Sequence, residues 1–273
     1  MSRRRAPQRI ALTTAVAAGA VLIIFPFYWL VIASTNATSN ILSTSPSLLP
    51  GDQFAVNLSN LSQQDFLVAV RNSLIVSSLY TLCSGAVCTL AGYGFAKFTF
   101  RGRDALFSAV LVLMALPGII TVVPLFKMMV SLGWLNSFAA LIVPQLALPF
   151  AIFLMRQSLM GVPDEILQSG RVDGAGEVRI LVSLVLPIMK PTLAALAIIL
   201  FMAQWNSFMW PLVVLREPGS YTIPVALATL MSQGTDYGQL MVGTLLAVIP
   251  AAAIFAFLQR HFVAGLLSGS VKQ

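Results

Sequence analysis

Asp164, Glu165, Arg171, Asp173, Glu177 and Arg179 are six of the seven charged side chains in one polar stretch, PDEILQSGRVDGAGEVRILVSLVLPIMKP, between Pro163 and Pro191. They interrupt a chain in which only 9% of residues are charged. Carboxylates and guanidinium groups mixed at this spacing offer a soluble partner charge-paired docking. A second cluster, Gln204, Trp205, Asn206, Ser207 and Trp210, joins amides to indoles. Amides hydrogen-bond hydroxyls and indoles lie against sugar rings, so this set has the chemistry of a solute path. On a helix Trp205 and Asn206 project about 100° apart, so at most part of the set lines one cavity, and Trp210 also suits an interfacial aromatic belt. Covalent chemistry has little to work with. Cys83 and Cys88 are five residues apart on different helical faces and read as buried apolar thiols, and the only histidine, His261, sits beside Arg260 as an interface marker. No Gly-Lys-Ser/Thr phosphate loop is present, so ATP is bound elsewhere if it is used at all.

These residues must be positioned by membrane helices. The chain is 58% hydrophobic with mean hydropathy +0.89, far from a soluble domain with about a quarter of its residues charged. A helix crosses a hydrocarbon core of about 30 Å with about 20 residues, and the apolar runs lack the alternation of barrel strands. The expected fold is an all-α integral membrane bundle of six spans, near 11–33, 68–96, 105–127, 138–158, 184–214 and 239–260. Residues 1–10 and 261–273 flank this 11–260 domain. Thirteen of the sixteen Lys and Arg residues fall at the chain ends, in the 97–104 turn and in 156–190, leaving Arg71, Lys127 and Arg216 on the other side. By the positive-inside rule both termini and the polar segment are cytoplasmic. Topology therefore accounts for the net charge of +7, and nucleic-acid binding is not needed to explain it.

Within the polar segment, Pro163, Asp164 and Glu165 suit a helix start, because proline tolerates a first turn and acids favour the positive dipole end. A short helix to about Val172, a break at Gly174-Ala175-Gly176 and a second helix leading to Leu186-Pro187 follow. Gly170, Gly174 and Ala175 permit close approach of another surface, so the segment reads either as a lever docked in a groove of a motor protein or as an interfacial amphipathic loop that only connects spans. Several spans carry helix punctuation: Pro117-Gly118, Pro124, Pro144, Pro149, Pro211 and Pro250. Such positions are kinks that fit the bundle, or hinges and unwound binding segments.

The run VDGAGEVRILVSLVLP resembles the cytoplasmic signature of bacterial ABC-importer permeases, Glu-Ala-Ala, three residues, Gly, then a hydrophobic stretch closing in Leu-Pro. Asp173-Gly174-Ala175 and Leu186-Pro187 fit that spacing, whereas Gln168-Ser169-Gly170 stand where the triplet would be. The segments 72–107, 116–137, 204–215 and 259–273 are likewise similar to carbohydrate-uptake permeases, the maltose-type second permease subunit in particular. The resemblance implies a multi-pass protein of the bacterial plasma (inner) membrane, a sugar or polyol permease without covalent catalysis. Its segment 160–186 would be a coupling helix, with Asp164, Glu165, Gln168, Ser169, Gly170, Arg171, Asp173, Gly174 and Ala175 meeting the ATPase. Implied partners are a homologous second permease subunit, two ATPase subunits holding ATP and Mg, an extracytoplasmic substrate-binding protein and membrane lipid; the chain itself binds no cofactor or metal. A stand-alone secondary carrier is the alternative, but it calls for intramembrane carboxylates, and none of the nine acids falls within the six expected spans.

Overall fold

The computed structural model describes residues 5–232, 234 and 236–270, and every regular element among them is helical. In order these are α1 (Arg5–Ser34), α2 (Thr38–Ile41), α3 (Phe54–Ser62), α4 (Phe66–Lys97), α5 (Arg103–Ala115), α6 (Val122–Ser131), α7 (Phe138–Ile142) and α8 (Pro149–Met160). They continue with α9 (Asp164–Val172), α10 (Glu177–Ile180), α11 (Leu186–Ile188), α12 (Lys190–Trp205), α13 (Met209–Val214), α14 (Ile223–Ser232) and α15 (Tyr237–Ser270). Arg3, Arg4 and Lys272, which enter the orientation count, lie outside the described residues, as do the side chains of Arg5, Arg9, Arg260 and His261.

Three described helices are long and apolar enough to cross a bilayer unaided: Ala11–Ser34 within α1, all of α4, and Tyr237–Phe257 of α15. The other three expected spans are each broken. Arg103–Ala115 meets Gly118–Ser131 at 99°, Phe138–Gln145 meets Pro149–Met160 at 47°, and Glu177–Ile188 meets Lys190–Trp205 at 90°. Prolines account for the breaks, since each removes one helical donor and crowds the preceding turn. The stretch 184–214 is thus no single helix. It bends at Met189, ends at Trp205 and resumes as α13. Ahead of Pro187, Leu181–Val185 is π-helical, with Leu186 N–H donating to Leu181 O.

The chain divides into two compact units. One comprises the region up to Leu67 with Ala226–Ile249. Its polar anchors are Asn57, which donates to Ser34 O (3.0 Å) and Asn36 O (3.2 Å), and Asp236, which accepts from Thr38 Oγ1 (2.7 Å). Asp236 also accepts from Gly238 N–H at 2.9 Å and Gln239 N–H at 3.3 Å, and so caps the start of α15. The loop after α1 is therefore tied down by its own amides.

The second unit comprises Val68–Val225 with the residues from Pro250 onward. Its core holds Met155, Leu159, Leu167, Ile180, Val185 and Leu200, all essentially without solvent exposure. One face of α4 carries buried Ser73, Tyr80, Ser84 and Cys88 at seven- and four-residue spacing. That face, together with Trp210 of α13, services the broken span Phe138–Met160. The N–H that would reach Ala140 O belongs to Pro144 and does not exist, so Trp210 Nε1 donates there at 2.9 Å. Likewise Pro149 leaves Gln145 O without a helical donor, and Tyr80 Oη donates to it at 3.2 Å. Ser84 Oγ donates to Leu146 O at 2.8 Å. Cys88 is buried as expected, but Cys83 is exposed, because five residues along a helix place the two on different faces.

Candidate functional site

The polar segment folds as two short helices closed by one specific turn. Asp164 and Glu165 occupy the first turn of α9 and Arg171 the last, complementing the helix dipole at both ends. Leu167 and Gly170 face inward. A Cβ on Gly170 would stand 2.9 Å from Ile180 Cγ1 and from Leu184 Cδ1, so its smallness serves the approach of the π-helical segment of the same chain. The helix ends in a Schellman motif: Ala175 N–H donates to Gly170 O (2.9 Å) and Gly174 N–H to Arg171 O (3.0 Å). Gly174 supplies the left-handed residue this needs, at φ +75°.

Two side chains from the end of α4 fasten this segment. Lys97 Nζ donates to Val162 O and to Asp164 Oδ1, each at 2.6 Å, with the Lys97 side chain only 5% exposed. Tyr93 Oη donates to Glu177 Oε2 at 3.0 Å, and Arg171 Nε donates to Glu177 Oε1 at 2.7 Å. Glu177 therefore joins α4, α9 and α10. The hydrogen bond and charge of Lys97 hold the Asp164 carboxyl below its usual range. The hydrogen bond from Arg171 does the same for Glu177, and Glu177 in turn raises the Arg171 guanidinium. The segment is ionised and latched at neutral pH.

Of the nine candidate coupling residues, Asp164, Glu165, Gln168, Ser169, Arg171, Asp173 and Gly174 are exposed, Ala175 is half-buried and Gly170 is buried. Beside them Val172 and Val178 are 88% and 71% exposed, a high value for apolar side chains. Charged side chains together with Val172 thus make up much of the outward surface of α9, while Val178 of α10 faces an apolar hollow shared with Leu82, Val182 and Leu193. Neither Tyr93 nor Lys97 was singled out from sequence beyond the charge count. The signal was there only in the placement of a Lys at the last turn of a long apolar helix.

The cluster of amides and indoles is dispersed. Gln204 and Trp205 are buried, with Trp205 stacked on Phe201 (centroids 5.4 Å apart) and Gln204 Nε2 unpartnered among the described residues. Asn206 is exposed and donates to Met202 O at 2.9 Å, and Ser207 follows the helix end with its N–H on Gln204 O. Of the five, only Trp210 lines the cavity of about 500 Å³ bounded by the two broken segments Gly118–Leu125 and Pro144–Pro149. Thr121 and Gln145 share that lining. Sequence reasoning passed over both; the proline pairs around them were the available signal.

Comparison with known proteins bears on this geometry. Residues 88–268 match the family described as binding-protein-dependent transport system inner membrane component. The lactose transport system permease protein LacG of Rhizobium radiobacter is 36% identical, over 99% of this chain and 98% of that protein. The arabinooligosaccharides transport system permease protein AraQ of Halalkalibacterium halodurans is 34% identical, over 96% and 95%. A crystal structure of a bacterial ABC transporter involved in the import of the acidic polysaccharide alginate aligns with a TM-score of 0.82 at 20% identity, covering 96% of this chain and 99% of that one. The chain belongs to the family of inner membrane components of binding-protein-dependent transport systems and is a permease subunit.

Proposed function

We propose that this permease carries a sugar or related polyol as one half of the path of an ATP-driven importer in the bacterial plasma (inner) membrane. The other half is a homologous second permease subunit, two ATPase subunits holding ATP and Mg lie beneath, and an extracytoplasmic binding protein delivers the solute. The substrate class is supported by the lactose and arabinooligosaccharide relatives, and the delivery step by the family description. Each broken helix pair contributes one span in this reading, the third of them through Lys190–Trp205 alone, giving six, with both ends of the chain and the 160–186 segment in the cytoplasm.

The observation that carries the coupling role is the exposed charged surface of α9 with Val172, on a segment whose inner side is locked to the bundle. Gly170 seats α9 on Ile180 and Leu184, and that stretch bends through Met189 into α12. Closure of the ATPases against α9 then moves α10, the π-helical turn and α12 as a connected lever. Gln204, Trp205, Asn206, Ser207 and Trp210 lie at the far end of this lever or just beyond it, where the motion reaches the solute path. The test is Asp173→Arg combined with Gly174→Trp, in the assembly with its cognate subunits. Loss of solute uptake with retained ATP hydrolysis is expected; unchanged coupling overturns the lever assignment.

A further inference from the structure

We infer that the cavity between the two broken segments is a subsite for a neutral, hydroxyl-bearing solute, read by the Gln145 carboxamide against the Trp210 ring. The inference rests on the transport reading above and adds the residues and the charge class. The cavity's volume of about 500 Å³ lies within the roughly 300–1,000 Å³ of small-molecule sites. It sits where two helices are interrupted, so backbone polar groups and side chains share its wall, as irregular backbone at membrane depth does when it lines a cavity.

Two of its groups are already committed to structure, and that is what leaves the third conspicuous. The Trp210 N–H is spent on Ala140 O and the residue is only 6% exposed, so the indole gives the cavity a small apolar contact and no free donor. Thr121 Oγ1 donates to Gly118 O at 2.8 Å, which leaves its lone pairs as acceptors. Gln145 gives its backbone carbonyl to Tyr80, yet its side-chain amide has no hydrogen-bond partner among the described residues although the residue is half-buried. A carboxamide offers two donors and an acceptor, the complement of a sugar hydroxyl pair. Lining the same cavity as an indole, it completes the composition of a carbohydrate contact.

Charge decides the class. The lining residues, among them Gly118, Thr121, Leu125, Gln145, Leu148 and Trp210, include no ionisable side chain. A phosphate or carboxylate solute calls for Arg or Lys, and an unpaired anion in such a site is strongly disfavoured. The subsite therefore admits lactose-like or arabinose-like neutral solutes and rejects anionic ones.

The test measures uptake of radiolabelled lactose, arabinotriose and glycerol 3-phosphate by cells expressing the full assembly, with Gln145→Leu and the near-isosteric Gln145→Glu. Assembly is checked by co-purification of the cognate subunits. The expected result is uptake of a neutral probe but not glycerol 3-phosphate, with KM raised about three- to tenfold in Gln145→Leu, the loss of one hydrogen bond, and at least as much in Gln145→Glu. An unchanged KM in both variants overturns the subsite while leaving the sugar reading standing. Uptake of neither neutral probe by the unaltered assembly overturns the sugar reading and the subsite with it, and uptake of glycerol 3-phosphate overturns the charge class.

Discussion

Two glycines two residues apart on α4 make opposite predictions for the same substitution. At Gly92 an added Cβ would stand 2.6 Å from Met155 Cβ and 2.9 Å from Arg156 N, backbone and near-backbone atoms of α8 that cannot swing aside. Ordinary carbon contacts lie at about 3.5–4.0 Å, so Gly92→Ala forces the helices apart by about 1 Å, an overpacking cost of about 1–3 kcal/mol. At Gly94 nothing lies within 4 Å of the same added atom. Both substitutions gain helix propensity of about 1 kcal/mol, which cancels in the comparison. The Gly92→Ala assembly is therefore expected to be about 1–3 kcal/mol less stable than the Gly94→Ala assembly, or roughly 2–12 °C in apparent Tm at about 2–4 °C per kcal/mol. Gly94→Ala itself is expected at or above wild type. The assay is thermal unfolding of the detergent-purified assembly, read by loss of the monodisperse chromatographic peak. Equal Tm for the two variants refutes the close approach of α4 and α8 at Gly92.

Trp210→Phe leaves Ala140 O without a donor, and a lost buried partner of this kind costs about 1–3 kcal/mol, so a lower Tm than wild type is expected even where expression is unchanged. Tyr80→Phe removes the donor to Gln145 O, a longer contact at 3.2 Å, and is expected to lower Tm by less. Glu177→Gln breaks the pairing with Arg171, so amide hydrogen exchange across 164–180 should accelerate relative to wild type; unchanged protection would remove Glu177 as the tie. The latch also has a pH sense. Asp164 and Glu177 have folded pKa values depressed below their ordinary ones, so their contribution is complete above the usual carboxylate range and is lost as pH falls through the folded values. Exchange protection of 164–180, corrected for intrinsic rates, should hold near neutrality and fall in that acid window, and a loss on raising pH from 6 to 8 instead would contradict the assignment.

Long apolar runs made the helical membrane class and the extents of α1, α4 and much of α15 readable from sequence, because hydropathy over twenty residues reports a local property. The α9 helix, its acidic first turn and its glycine stop were equally local. The breaks were not. Proline marked Pro117, Pro144 and Pro149, but whether a proline bends a helix slightly or breaks it, as at the 47° bend between Phe138–Gln145 and Pro149–Met160, depends on which neighbours satisfy the freed carbonyls. Trp210 and Tyr80 do so from 70 and 65 residues away, a pairing that no spacing rule contains. For the same reason Trp210, read as a solute contact, is first a structural donor, and Gln145, an amide beside a proline in an apolar run, drew no notice. Gly170 was legible as a small residue permitting close approach; that the approaching surface includes Ile180 and Leu184 of its own chain emerges only from the folded turn.

On the proposed function this chain is a passive half of a path, moved through α9 by ATPase subunits it does not contain. Proteoliposomes containing this chain alone, with and without ATP, are compared with proteoliposomes containing the chain, its second permease, its ATPases and its binding protein, all loaded to report labelled sugar uptake. Uptake only in the complete assembly, and only with ATP, is the predicted result; concentrative uptake by the chain alone would contradict it.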